Sequence, residues 1–135
     1  MSDERFFLDT NILLYCYAQD EPIRHSITLQ VAANTNTIIS TQVLKETCNV
    51  LRKKLKLPWQ DIRSAVDEIE SNNELVQVKL ATIHKAVVLA ERYQLQWFDS
   101  IIVASAIGAD CSVLFSEYLH HGLLINQLEI RNPFL

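Results

Sequence analysis

Phe6-Phe7-Leu8-Asp9-Thr10-Asn11 takes three apolar residues straight into a carboxylate. Arg5 to Leu8 therefore reads as a short buried strand that stops at Asp9, after which Ile12 to Tyr17 is apolar again and turns into a helix. A charge at the end of a buried strand needs a reason, because burial is costly for a carboxylate that is not paired, hydrogen-bonded or bound to a cation. Two further acids share this setting: Glu46 in Val43-Leu44-Lys45-Glu46-Thr47-Cys48, and Asp99 in Trp97-Phe98-Asp99-Ser100-Ile101-Ile102. Three carboxylates brought together repel one another unless a cation lies between them. Hard oxygen ligands select Mg²⁺ or Mn²⁺, and such ions act on phosphates. The pattern points to a metal-dependent phosphodiesterase.

The rest of the chain predicts where these acids meet. Asp20, Glu21 and Pro22 start a helix that runs to about Ala33, and the β-branched run Thr37 to Ser40 is a second strand. Gln42 to Leu55 has apolar residues at helical spacing. Pro58 opens another helix that ends near Asn72-Asn73. Leu75 to Leu80 reads as a strand, Thr82 to Tyr93 and Phe98 to Ala109 as helices, Val113 to Phe115 as a buried strand, and Leu128 to Arg131 as an edge strand. Strands alternating with helices predict one α/β domain over residues 1–135, an α/β/α sandwich with a mostly parallel sheet covered on both faces. Ligands bind such sheets beyond the carboxyl ends of the strands. Asp9 sits at such an end, Glu46 lies roughly one and a half turns into the helix after the second strand, and Asp99 opens a helix.

Composition sets bounds on the alternatives. The 135 residues are 49% hydrophobic and 21% charged, a globular balance. The acidic start Met1-Ser2-Asp3-Glu4 does not resemble a signal peptide, and no apolar run is long enough for a membrane span, so a soluble, cytoplasmic protein is expected. Cys16, Cys48 and Cys111 are an odd number without zinc-ligand spacing and read as reduced core residues. A net charge of −4 argues against a general nucleic-acid coater, with one local exception: Arg52, Lys53, Lys54 and Lys56 follow Glu46 at the end of its helix. They could steer a phosphate backbone, or simply complement the helix dipole in solvent. His120-His121 before Gly122 reads as a turn, Trp97 as a core residue, and Trp59 as a helix-start residue open to a base or a partner.

Each acid also has a bland explanation: Asp9 and Asp99 as helix caps, Glu46 as an ion-pair partner of Lys45 or Lys53. Jointly these explanations fare worse, because Val43, Leu44, Thr47, Cys48 and Val50 around Glu46 do not form a wet face.

The ordered set Leu8-Asp9-Thr10-Asn11-Ile12-Leu13, Glu46, Leu95-Gln96-Trp97-Phe98-Asp99-Ser100-Ile101-Ile102 and Leu114-Phe115-Ser116-Glu117 resembles the PIN domain, and within it the VapC-type ribonuclease toxins of toxin–antitoxin pairs. His121-Gly122 and Asn132-Pro133-Phe134 also match a subgroup of these toxins. The resemblance implies a sheet of about five strands, RNA as substrate, and Mg²⁺ or Mn²⁺ held by three or four acids, here Asp9, Glu46 and Asp99. It further implies Thr10 and Asn11 as supporting residues, cleavage to a 5′-phosphate and a 3′-hydroxyl, a homodimer, and an antitoxin partner. The family usually carries a fourth acid where this chain has Tyr118 in Ser116-Glu117-Tyr118-Leu119. Glu117 replaces it only if the backbone turns, since adjacent side chains of an extended segment face opposite ways. Ser116 could help through its hydroxyl. Two other readings remain open. One is an inactive or weak PIN-like binding module, which Tyr118 favours; the other is a phosphohydrolase with Asp9 as nucleophile, which Asn11 in place of a second acid disfavours.

Overall fold

Short strands that are buried along their whole length need a layer on each face, and this chain supplies it with helices. A computed structural model describes residues 4–34 and 36–135. Among these the order is β1 (Phe6–Leu8), α1 (Thr10–Leu14), α2 (Pro22–Asn34), β2 (Thr37–Ser40), α3 (Thr41–Lys53), α4 (Trp59–Asn72) and β3 (Glu74–Val76). It continues with α5 (Leu80–Tyr93), α6 (Trp97–Gly108), β4 (Val113–Phe115), β5 (Leu124–Ile125) and β6 (Leu128–Arg131). The sheet order is β3-β2-β1-β4-β6-β5. All neighbours are parallel except the terminal β5–β6 pair. The expected sheet of about five mostly parallel strands is thus present with six.

Register decides which residues share the functional end. Leu8 lies opposite Phe115, so β1 and β4 finish level, and the Asp9 N–H donates to the Phe115 carbonyl at 3.0 Å. The core runs from Phe7, Leu8, Ile38 and Ile39 in the strands to Ile102 and Val103 in α6. Burying a large aliphatic side chain contributes roughly 1.5–3 kcal/mol, so this layer is the main source of stability. A smaller cluster of Leu51, Ile62 and Ala65 fixes α4 against α3.

Three expectations need correction. The strand foreseen over Leu75 to Leu80 is only Glu74–Val76. The Val78 N–H leaves the ladder to donate to Thr41 Oγ1, and the Lys79 N–H donates to Thr82 Oγ1, which starts α5 early. The segment Leu128–Arg131 is not an edge strand. It pairs with β4 on one side and, on the other, with the two-residue β5 across a tight turn in which Asn126 is left-handed at φ +55°. Trp97 is 41% exposed in the first turn of α6, while the buried stretch of that helix runs from Ser100 to Ala106. Of the cysteines, all free, only Cys111 is fully buried; Cys16 and Cys48 are half-buried. Among the described residues no helix is long and apolar enough to cross a membrane.

Candidate active site

Parallel neighbours end on the same side of a sheet, and this brings distant residues together. Asp9 follows β1, Ser40 ends β2 and caps α3, and Ser116 follows β4. Asp9 is 7% exposed and caps α1: its Oδ1 accepts the Thr10 N–H at 2.7 Å, and its Oδ2 accepts the Ser116 hydroxyl at 2.8 Å. The Thr10 hydroxyl donates to Glu46 Oε1 at 2.6 Å, tying the start of α1 to α3. Gln42, one turn before Glu46, donates through Nε2 to Glu46 Oε2 at 3.4 Å and to the Phe98 carbonyl at 3.2 Å. It thereby links Glu46 to the turn that carries Asp99.

Electrostatics place the three acids in one neighbourhood. Burial pushes Asp9 up to about 6; the hydrogen bonds from Ser116 and Thr10 oppose this, and the charges of Asp99 and Glu46 add to it. Asp99 is also raised, first by partial burial and then by Glu46. A cation joining these carboxylates favours their ionised forms and opposes both shifts. As the side chains stand, no three His, Cys, Asp or Glu among the described residues are gathered at ligand distance from a common point.

Glu117 faces elsewhere. Its carboxylate accepts the Tyr15 hydroxyl at 2.6 Å and pairs with Arg24 Nε at 2.7 Å, and although burial opposes it, these partners hold its pKa below the usual value. The Glu117 N–H donates to Asn11 Oδ1 at 3.1 Å, so Asn11 fixes the backbone that follows β4 and does not itself reach Asp9. Tyr118 is 78% exposed. His121 has a structural role, its Nδ1 accepting the Asn132 N–H at 2.9 Å. Sequence reasoning missed Gln42, Tyr15 and Arg24. Gln42 carried a readable signal, since a residue four before Glu46 lies on the same helix face; Tyr15 and Arg24 carried none, because their partner is about a hundred residues away.

A family model of the PIN domain matches residues 6–117. Comparison by sequence with curated proteins gives no significant match. Among solved structures, a toxin–antitoxin complex from Klebsiella pneumoniae aligns over 94% of this chain and 96% of its own, at 18% identity and a TM-score of 0.73. VapC20 from Mycobacterium tuberculosis, a sarcin–ricin loop cleaving toxin, aligns over 82% and 88% at 16% identity and 0.68. VapBC2 from Rickettsia felis, bound to a promoter DNA fragment, aligns over 95% and 98% at 22% identity and 0.68. At these identities the likeness is one of fold.

Proposed function

The chain belongs to the PIN domain family, and from that premise we propose that it is an RNA endonuclease, the toxin of a toxin–antitoxin pair, acting with Mg²⁺ or Mn²⁺ held by Asp9, Glu46 and Asp99. The observation that carries this reading is the hydrogen-bond chain that joins three separate segments of the sequence: Ser116 and the Thr10 N–H on Asp9, the Thr10 hydroxyl on Glu46, and Gln42 between Glu46 and the Phe98 carbonyl beside Asp99. The donor set fits a hard dication in kind: every candidate ligand atom is a carboxylate oxygen, and a cation offsets both the burial that chiefly raises Asp9 and Asp99 and the smaller repulsion among the acids. When bound, such an ion supplies an activated water and neutralises charge developing on the phosphate.

The chain's own residues prepare for that. Ser116 and the Thr10 N–H hold both oxygens of Asp9 in a fixed orientation, and Thr10 and Gln42 do the same for Glu46. Asn11 holds the segment that presents Ser116. Glu117 belongs to an ion pair with Arg24, so the acids available to a metal in this arrangement are three.

The test is cleavage of a structured RNA with and without metal. Asp9→Asn and Asp99→Asn should each reduce the rate by orders of magnitude, and cleavage by the unaltered protein that persists in excess EDTA would sink the reading. The toxin role is supported by the shared fold of VapC-type structures. An antitoxin segment that inserts Arg or Lys among the acids would block the site, because a guanidinium fork satisfies carboxylates well. A weaker, binding-only role draws on the exposed Tyr118, where the family resemblance implies a fourth acid; a chain that binds RNA but shows no cleavage at any metal concentration would favour it.

A further inference from the structure

The C-terminal half of α3 and the start of α4 enclose an open groove of about 840 Å³, lined by Lys45, Arg52, Lys53, Lys56 and Trp59 over a floor of Cys48 and Asn49. Among the described residues no carboxylate lines it, in a chain whose net charge is −4. Lys45 also lines the adjoining cleft that contains Gln42, Glu46 and Phe98, so the cationic groove and the cleft beside Glu46 share a wall. Trp59 is 66% exposed, and the Arg52 guanidinium lies over its ring at 4.4 Å from the centre. Arg52 is held there by donating to the Leu57 carbonyl at 2.9 Å. Cations at the end of a helix are explained by its dipole, but an exposed indole with a fixed guanidinium on one face is not.

We propose that this groove is the track along which single-stranded RNA next to the scissile bond runs, with Lys53 and Lys56 against its phosphates and Trp59 stacked on a base. The inference rests on the nuclease reading for the identity of the strand. Charge chooses the occupant: a second copy of the chain docked about a two-fold axis through this groove would set cations against cations. A polyanion with flat faces satisfies both the charges and the indole.

The experiment measures binding of fluorescein-labelled single-stranded oligoadenylate to the Asp9→Asn protein in EDTA, where no cleavage interferes. Each single-strand phosphate contact contributes about 0.7 to the slope of log affinity against log salt, so Lys53→Gln with Lys56→Asn should lower the slope by about 1.4. Asn is chosen at position 56 because Lys56 is left-handed at φ +56°, a conformation that Asn tolerates. Trp59→Ala should weaken binding by about tenfold without changing the slope. In a Trp97→Phe background, emission from Trp59 alone should be quenched by the RNA. Unchanged affinity and slope in both variants would overturn the proposal. So would oligoglutamate binding that matches oligoadenylate and is indifferent to Trp59, which marks an acidic peptide site, or a loss of self-association in the variants without loss of RNA affinity. Failure of the unaltered protein to cleave RNA with Mn²⁺ would sink the nuclease reading while leaving this binding result intact.

Discussion

Asp9 is buried, raised to about 6, and hydrogen-bonded on both oxygens. The folded chain therefore holds this proton more tightly than the unfolded chain, and ionising it at neutral pH costs stability, up to about 3 kcal/mol for a shift of this size. Asp9→Asn should accordingly raise the melting temperature in EDTA at pH 7.5 while abolishing cleavage, and a lowered melting temperature would contradict the account. Glu117 has the opposite sign. Its pKa is lowered, so its contribution is fully present above the ordinary value of 4.5 and is lost as pH falls through the folded value. Glu117→Gln should melt earlier than the unaltered chain at pH 7, with the difference closing toward pH 3, and should leave the metal requirement of cleavage unchanged. Tyr118→Asp adds a carboxylate where the three acids lack a fourth. It should lower the metal concentration for half-maximal cleavage; a large loss in Glu117→Gln with no gain from Tyr118→Asp would instead make Glu117 the fourth ligand.

Strand β6 illustrates how an element's role depends on its neighbours. The Glu129 N–H donates to the Ser112 carbonyl at 2.9 Å toward β4, and the Ile130 N–H to the Leu123 carbonyl at 2.9 Å on the other side. A proline at 129 removes the first bond inside the sheet, and an orphaned buried carbonyl costs about 1–3 kcal/mol. Glu129→Pro should therefore show a clear loss in urea unfolding, whereas a true edge position would tolerate it. Helix α6 carries the catalytic candidate Asp99 at its start and the core residues Ile102 and Val103 behind it. Ile102→Ala should cost about 2–5 kcal/mol through the cavity it leaves. Because the same helix aims Asp99, cleavage should fall in parallel even at temperatures where the variant remains folded.

Across the whole molecule, the surfaces divide by chemistry. One side of α5 exposes Leu80, Val87 and Val88 at 73%, 55% and 61%, a helical i, i+7, i+8 stripe that no element among the described residues covers. Apolar stripes of this kind mark association surfaces, and the proposed homodimer would bury this one. Sedimentation should show a dimer at tens of micromolar, a range in which modest interfaces still associate. Val88→Glu should shift it to monomer; a protein that is monomeric throughout would refute the dimer.

What the sequence determined by itself was periodicity and position. Apolar strands ending at Asp9 and near Ser116, a helical Glu46 and an Asp99 at a helix start were all legible, because burial and helix spacing are written in local order and parallel strands must end together. The cations after Glu46 and the helix-start Trp59 could each be read, though not that Arg52 lies over the Trp59 ring. Tertiary structure alone decided the partners. Whether Glu117 faced the acids or Arg24, where β3 stopped, and that Gln42 joins Glu46 to the Asp99 turn all depend on contacts between residues tens of positions apart. Such contacts are set by strand register and helix docking, which depend on how the whole core closes and leave no mark in the neighbouring sequence.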